Sequence, residues 1–314
     1  MRTVLVRRVT AAVLVGAALL GSACSGQAHG SDDGRVHLVV TTSILGDVVK
    51  NLVGDDARVD VLMPPGTDPH EFAASARQVV AMRDADLLVI NGLGFEAGLT
   101  DAIQAAEDDG ARVITAVEGT DALPLGAEPD RHDGERPLDP HFFTDPVRMA
   151  EVTDYLAGQL AARVASLDAT ALHNRAEGYV ARLRELDADV TRILSVVPAG
   201  RRVLVTNHEV FGYFAARYHF TVLGAVIPGG STLAGPSAAD LHRLAALIHK
   251  ADVPAIFAET SSPTRLAEAL AAEGAGPVEV VQLFSESLGP AGSDGSTYID
   301  MVRTNASLIA GALG

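Results

Sequence analysis

Three histidines and one glutamate sit in short segments of a kind that presents side chains to a cation. His70 ends the turn Met63-Pro64-Pro65-Gly66-Thr67-Asp68-Pro69, and His141 lies in Asp139-Pro140-His141-Phe142-Phe143. His208 lies in Thr206-Asn207-His208-Glu209, and Glu286 in Leu283-Phe284-Ser285-Glu286-Ser287. Each segment follows a strand-like run or opens a helix, the places where ligands collect in α/β sheets. Imidazole nitrogens together with a carboxylate oxygen suit a divalent transition metal. Two prolines and a glycine stiffen the turn before His70, so little freedom is left to lose on presenting it. Spacing alone decides nothing, because positions 70, 141, 208 and 286 lack the short separations of a zinc finger. An isolated histidine is by default structural or exposed.

Other polar residues have plainer readings. Glu209 adjoins His208 and could orient it, but a solvated carboxylate is the default. His219 follows Tyr218 at a helix end, where a partly buried or capping imidazole is expected. His242 and His249 share one helix face at a spacing unsuited to a close ligand pair. Glu96 and Glu259 end apolar strands and read as hydrogen-bonding groups in a cleft. A catalytic zinc site could use the same residue types. Against it, the chain has no His-Glu-x-x-His segment, no Gly-x-Ser-x-Gly turn and no phosphate-cradling glycine loop.

The elements that must position these residues alternate between apolar β-rich runs and helical patterns, the signature of parallel α/β units. Strands are expected at Val36–Thr41, Arg58–Met63, Leu87–Asn91 and Arg112–Thr115, and again at Val203–Thr206, Thr221–Ile227, Ala255–Glu259 and Val278–Leu283. Between the two sets, Asp145 and Pro146 supply an N-cap and first-turn proline for a helix to about Leu167. A second helix follows Asp168, with Leu172, Ala176, Tyr179, Leu183, Leu186, Val190, Ile193 and Val197 at spacings of three and four until Pro198 stops it. The domains are therefore a lobe over 36–167, a linker helix over 168–197 and a second lobe over 198–314. Gly126 to Asp139, with Glu128, Asp130, His132, Asp133 and Glu135, reads as a solvated acidic loop that could capture cations weakly.

Residues 1–23 read as an export signal: Arg2, Arg7 and Arg8, then an apolar run from Val9 to Leu20, then Gly21-Ser22-Ala23. The run is shorter than the roughly 20 residues a spanning helix needs. The one cysteine, Cys24, excludes an intramolecular disulfide. Leu20-Gly21-Ser22-Ala23-Cys24 resembles a bacterial lipobox, with Gly21 where Leu is usual, which implies lipid attachment at Cys24 and residues 24–35 as a flexible tether. Cleavage of 1–23 removes three arginines and no acid, so the formal charge moves from −16 to −19. Such a surface repels phosphate backbones and argues against nucleic acid, and it is compatible with concentrating cations.

Several motifs in order carry a family resemblance from about residue 37 to the end. They are Thr41-Thr42-Ser43-Ile44-Leu45-Gly46-Asp47, Pro65-Gly66-Thr67-Asp68-Pro69-His70, Asn91-Gly92-Leu93-Gly94-Phe95-Glu96, Asp139-Pro140-His141, His208 to Tyr213, Ile256-Phe257-Ala258-Glu259-Thr260 and Thr297-Tyr298-Ile299-Asp300-Met301. The chain resembles the metal-binding proteins of zinc and manganese ABC importers, the cluster A-I solute-binding proteins. The resemblance implies an α/β fold of two (β/α)4 lobes with parallel sheets, joined by one long rigid helix, with the metal in the cleft between lobes.

Position by position, the resemblance implies His70, His141 and His208 as imidazole ligands, with Glu286 where the family usually has Asp. Asp294 and Asp300 are the substitutes, although Asp300 falls in a helical pattern and reads as capping. Manganese members tend to carry a carboxylate at the position of His208 and zinc members a histidine. Zn2+ is thus the implied transported ligand, with Mn2+ the alternative. A fourth protein ligand leaves no position for activated water, which disfavours a zinc-dependent hydrolase. A surface adhesin on this fold would still capture metal. The implied setting is a monomer anchored on the extracytoplasmic face, handing metal to an ABC permease in the cytoplasmic membrane, with room for a separate zinc metallochaperone.

Overall fold

The computed structural model describes residues 34–126, 136–233, 235–273 and 277–314. The expected signal segment, Cys24 and most of the tether lie outside the described residues, as does the acidic stretch containing His132. Among the described residues no helix is long and apolar enough to cross a membrane.

Among the described residues, eight strands form two four-stranded sheets. The first holds β1 (Val36–Val40), β2 (Ala57–Val61), β3 (Leu87–Ile90) and β4 (Val113–Thr115) in the order β2-β1-β3-β4. The second holds β5 (Val203–Thr206), β6 (Thr221–Ala225), β7 (Ala255–Glu259) and β8 (Glu279–Leu283) in the order β6-β5-β7-β8. All pairings are parallel. The two halves are thus topological copies, and in each the chain reverses direction across the sheet beside its first strand. Such switch points open a crevice at the carboxyl ends of the strands.

Parallel strands are covered on both faces, which accounts for their unbroken apolar runs. Alternation assigns Leu38, Val40, Leu87, Val89 and Ile114 to the inner face of the first sheet, and Val39 and Leu88 to an outer core. In the second sheet Leu204, Phe257 and Leu283 face inward, while Val205, Ile256 and Ala258 build the outer core. The two inner faces belong to one continuous core.

That core is built around helices α1 (Ser43–Val53), α4 (Pro146–Arg163), α5 (Ala169–Leu194) and α9 (Tyr298–Leu313). The intervening helices are α2 (Ala76–Asp84), α3 (Thr100–Asp108), α6 (Gly212–Tyr218), α7 (Ala238–Ala251) and α8 (Arg265–Ala272). As expected, Asp145 caps α4 by accepting from Val147 N and Pro146 begins it, and Asp168 caps α5. The 26 residues of α5 extend about 39 Å at 1.5 Å per residue. Its buried stripe packs on α1 and α4 of the first lobe and α9 of the second. It is a packed spine, and its stiffness comes from neighbours as well as length.

Both long helices end a few residues earlier than the hydrophobic pattern suggests. Val164 and Leu167 remain buried in a turn after α4. The Leu194 carbonyl has no α-helical donor, because Pro198, four residues on, lacks an N–H; the Arg202 guanidinium donates to it and to the carbonyls of Val197 and Tyr218.

Candidate metal centre

Each lobe contributes two chain segments to the cleft, and each segment is fixed locally before its side chain is aimed. In the first lobe, Asp68 Oδ1 accepts from the His70 amide at 2.9 Å and Asp139 Oδ1 accepts from the His141 amide at 2.9 Å. These are Asx turns, which explains the repeated Asp-Pro-His pattern. Asp139 also takes Nδ1 of His141 at 2.7 Å, leaving Nε2 to point inward. In the second lobe Thr206 Oγ1 donates to the His208 carbonyl at 2.6 Å, and Glu259 Oε1 stands 2.5 Å from Nδ1 of His208. Asn207 Nδ2 donates to the other oxygen of Glu259 at 3.2 Å.

The four side chains meet at one atom. Oε1 of Glu286 lies 2.8 Å from Nε2 of His70, 3.1 Å from Nε2 of His208 and 3.2 Å from Nε2 of His141. All four residues are at most 1% exposed, and one potential ligand atom from each falls within 4.8 Å of all the others. A tetrahedral ion with bonds of about 2.0–2.1 Å has ligand-to-ligand edges of roughly 3.3 Å, close to the three edges that meet at Glu286 Oε1. Phe95 walls the site, its ring 5.3 Å from that of His70 and 5.5 Å from that of His141.

The electrostatics call for positive charge. With Nδ1 of His141 and His208 turned to carboxylates, inward-facing Nε2 lone pairs would oppose the lone pairs of Glu286 unless a proton or a metal lies between them. Burial alone would depress His208, but the carboxylates of Glu286 and Glu259 outweigh it and hold the imidazole well above its usual range. His141 is raised in the same way, burial being outweighed by Asp139 and Glu286. Burial would push the Glu286 carboxyl up, yet His208 and the close approach of the other two imidazoles hold it well below the usual carboxylate range. Nδ1 of His70 and Oε2 of Glu286 are buried without a hydrogen-bond partner, so the protein alone does not satisfy the cluster.

Glu96 does not reach the four. It accepts from Thr41 Oγ1 at 2.7 Å, the Asn91 amide at 2.6 Å and the Gly92 amide at 3.3 Å. Asn91 Nδ2 in turn donates to the Pro140 carbonyl, one residue before His141. The carboxylate against His208 belongs to Glu259, while the Glu209 amide pairs with the Gly229 carbonyl. His219 is the left-handed C-cap of α6 and is exposed, not partly buried. His242 and His249 are exposed on α7, and Asp294 is exposed. Asp300 accepts from Thr297 at the start of α9. The orienting roles of Asp68 and Asp139 escape sequence reading, although an Asp two residues before each histidine is a visible signal for them.

Residues 38–312 match the profile of the family described as ZnuA, zinc-uptake complex component A, periplasmic. The chain belongs to this family. It is 34% identical over 311 residues to the zinc-binding protein TroA of Treponema pallidum, covering 98% of each chain. It is 29% identical over 297 residues to the manganese-binding lipoprotein MntA of Halalkalibacterium halodurans, covering 93% of this chain and 94% of the relative. The solved structure of TroA superposes with a TM-score of 0.81 at 32% identity, covering 90% of this chain and all of the other. The ZnuA family is an uptake component and not an enzyme family, in agreement with the reading of the motifs.

Proposed function

We propose that this protein captures Zn2+ outside the cytoplasm and hands it to an ABC-type membrane importer, with His70, His141, His208 and Glu286 as its ligands. The convergence of three imidazole Nε2 atoms on one buried carboxylate oxygen carries this reading. Three nitrogens and one carboxylate form a donor set that suits Zn2+, which takes tetrahedral geometry without penalty, whereas Mn2+ favours oxygen-rich sites and binds weakly in the general affinity order. Cu2+ stands above zinc in that order, so affinity in a tube does not by itself name the cargo.

The chain acts as a monomer whose lobes, over 36–167 and 198–314, are joined by the spine at 168–197. Lipid attachment at Cys24 holds it to the membrane, and a separate zinc metallochaperone is an alternative source of its metal. The test is metal analysis of protein purified without chelator, followed by competition titration of the metal-free form with Zn2+ and Mn2+. Zinc is expected to win at a stoichiometry of one. Alanine at any of the four positions should weaken zinc binding by more than about 100-fold, since changes to groups that merely orient ligands already cost 10- to 100-fold. One tight manganese with no preference for zinc, or full zinc affinity in His208→Ala, would overturn the assignment.

A further inference from the structure

The four proposed ligands are at most 1% exposed, so no ion reaches them unless some segment of the wall first moves aside. The walls differ in how they are fastened. The segment bearing His141 is pinned by two large buried side chains of the second lobe: Tyr213 donates to the Asp139 carbonyl at 2.9 Å, and Tyr298 to the Phe143 carbonyl at 2.8 Å. Tyr213 also accepts from the Leu123 amide, tying a second strand of chain into the same anchor.

The segment bearing His70 meets the segment bearing Glu286 across a seam held by small groups. Ser43 and Ser287 share a hydrogen bond of 3.1 Å across the cleft, and the Leu288 amide donates to Ser43 Oγ at 3.0 Å. The Gly66 amide is divided between Ser287 Oγ at 2.8 Å and the Leu288 carbonyl at 3.0 Å. Farther out, Thr232 donates to Asp68 Oδ2 at 2.7 Å, while Asp68 Oδ1 holds the His70 amide. Ser287 directly follows Glu286, and Asp68 directly serves His70. Parting this seam therefore draws two proposed ligands away from each other, and the polar groups it frees can be taken up by water.

We infer that the Ser43–Ser287 seam is the gate through which the cation enters and leaves, and that its hydroxyls set the exchange rate. This rests on the zinc-capture reading above. Because neither Ser43 nor Ser287 is among the four clustered residues, weakening the seam speeds loading and release together and changes the equilibrium affinity little. A residue that instead shaped the coordination sphere would weaken affinity through release alone.

The experiment uses Ser43→Ala, Ser287→Ala and the double variant, with Ser307→Ala on the exposed face of α9 as control. Stopped-flow mixing with Zn2+ and with an excess chelator gives the two rates, and the visible spectrum of the Co2+-loaded form reports ligand geometry. Each single variant removes two hydrogen bonds and should raise both rates about five- to 150-fold, the range expected from two such bonds. The dissociation constant should move by less than about threefold under the same principle, with the Co2+ bands unchanged. Unchanged rates, or faster release alone with weaker affinity and altered Co2+ bands, would overturn the gate. If the parent protein failed to bind zinc, the functional reading itself would fall, an outcome distinct from either of these. Should Ser43→Ala not fold, being at the start of α1, Ser287→Ala alone decides the matter.

Discussion

Glu259→Gln offers a direct measure of how the site trades protons for metal. In the metal-free protein His208 is held well above its usual range, against burial, by Glu286 and Glu259, and His141 is raised as well by Asp139 and Glu286. Their Nδ1 atoms face carboxylates, so the proton that a metal must displace sits on Nε2. Metal binding requires neutral imidazole. Between about pH 6 and 8, where imidazoles change charge, zinc affinity of the parent should rise by one to two decades per pH unit. Each displaced proton accounts for about 1.4 kcal/mol per unit. The glutamine keeps the size of the side chain and removes the charge 2.5 Å from Nδ1.

Two consequences of that substitution oppose each other. The amide orients His208 less firmly, which costs about 10- to 100-fold in affinity at the alkaline end. It also releases His208 from its raised range, so the pH slope falls by up to one proton and the gap between variant and parent narrows toward acid. Competition against a chromophoric chelator at several pH values gives the slope, and calorimetry in buffers of different ionisation enthalpy counts the protons. A parent slope of zero, or a variant with the parent's slope and affinity, would refute the reasoning.

Two further outcomes follow from the structure, and a third from the sequence. The metal-free protein should be most thermally stable at mildly acidic pH: the raised His208 contributes fully below the ordinary imidazole value and is lost as pH climbs through its elevated one. The depressed Glu286 contributes above the ordinary carboxylate value and is lost as pH falls through its lowered one; melting curves with and without zinc should therefore diverge as pH rises. Gly92 has φ of +98° and a Cβ there would stand 2.4 Å from Thr115 Cγ2, so Gly92→Ala should cost about 1–3 kcal/mol in urea unfolding; an unchanged midpoint would show that this turn is not strained. Cys24→Ala should leave the membrane fraction while still binding zinc, and a variant that stayed membrane-bound after signal cleavage would count against lipid attachment there.

The lobes, the parallel sheets and the spine were legible because their causes are local. The unbroken apolar run Leu87–Ile90 of a strand covered on both faces and the period of three to four over Leu172–Leu194 both follow from local geometry. Helix ends were less legible: the apolar spacing runs on to Val197, but Pro198 already leaves the Leu194 carbonyl without an α-helical donor, and Arg202, brought back from beyond α5, serves it instead. The meeting of positions 70, 141, 208 and 286 has no local signature at all. It depends on two lobes closing against one another, which only the resemblance implied.

The partner of His208 shows what kind of reasoning closes part of that gap. Adjacency in sequence favours Glu209, but the chain bends over Asn207–Glu209 just after β5, and the Glu209 amide pairs with the Gly229 carbonyl. Pairing across the sheet sets Thr206 of β5 beside Phe257 of β7. β7 runs on to Glu259 while β5 gives way to the bend that carries His208, so the two residues lie at the carboxyl ends of neighbouring strands, at the switch point where the crevice opens. The 2.5 Å contact between Glu259 and His208 is thus a consequence of strand order. An acid at the end of the strand that neighbours the histidine's own strand is a stronger candidate for its orienting partner than the acid next to it in the chain.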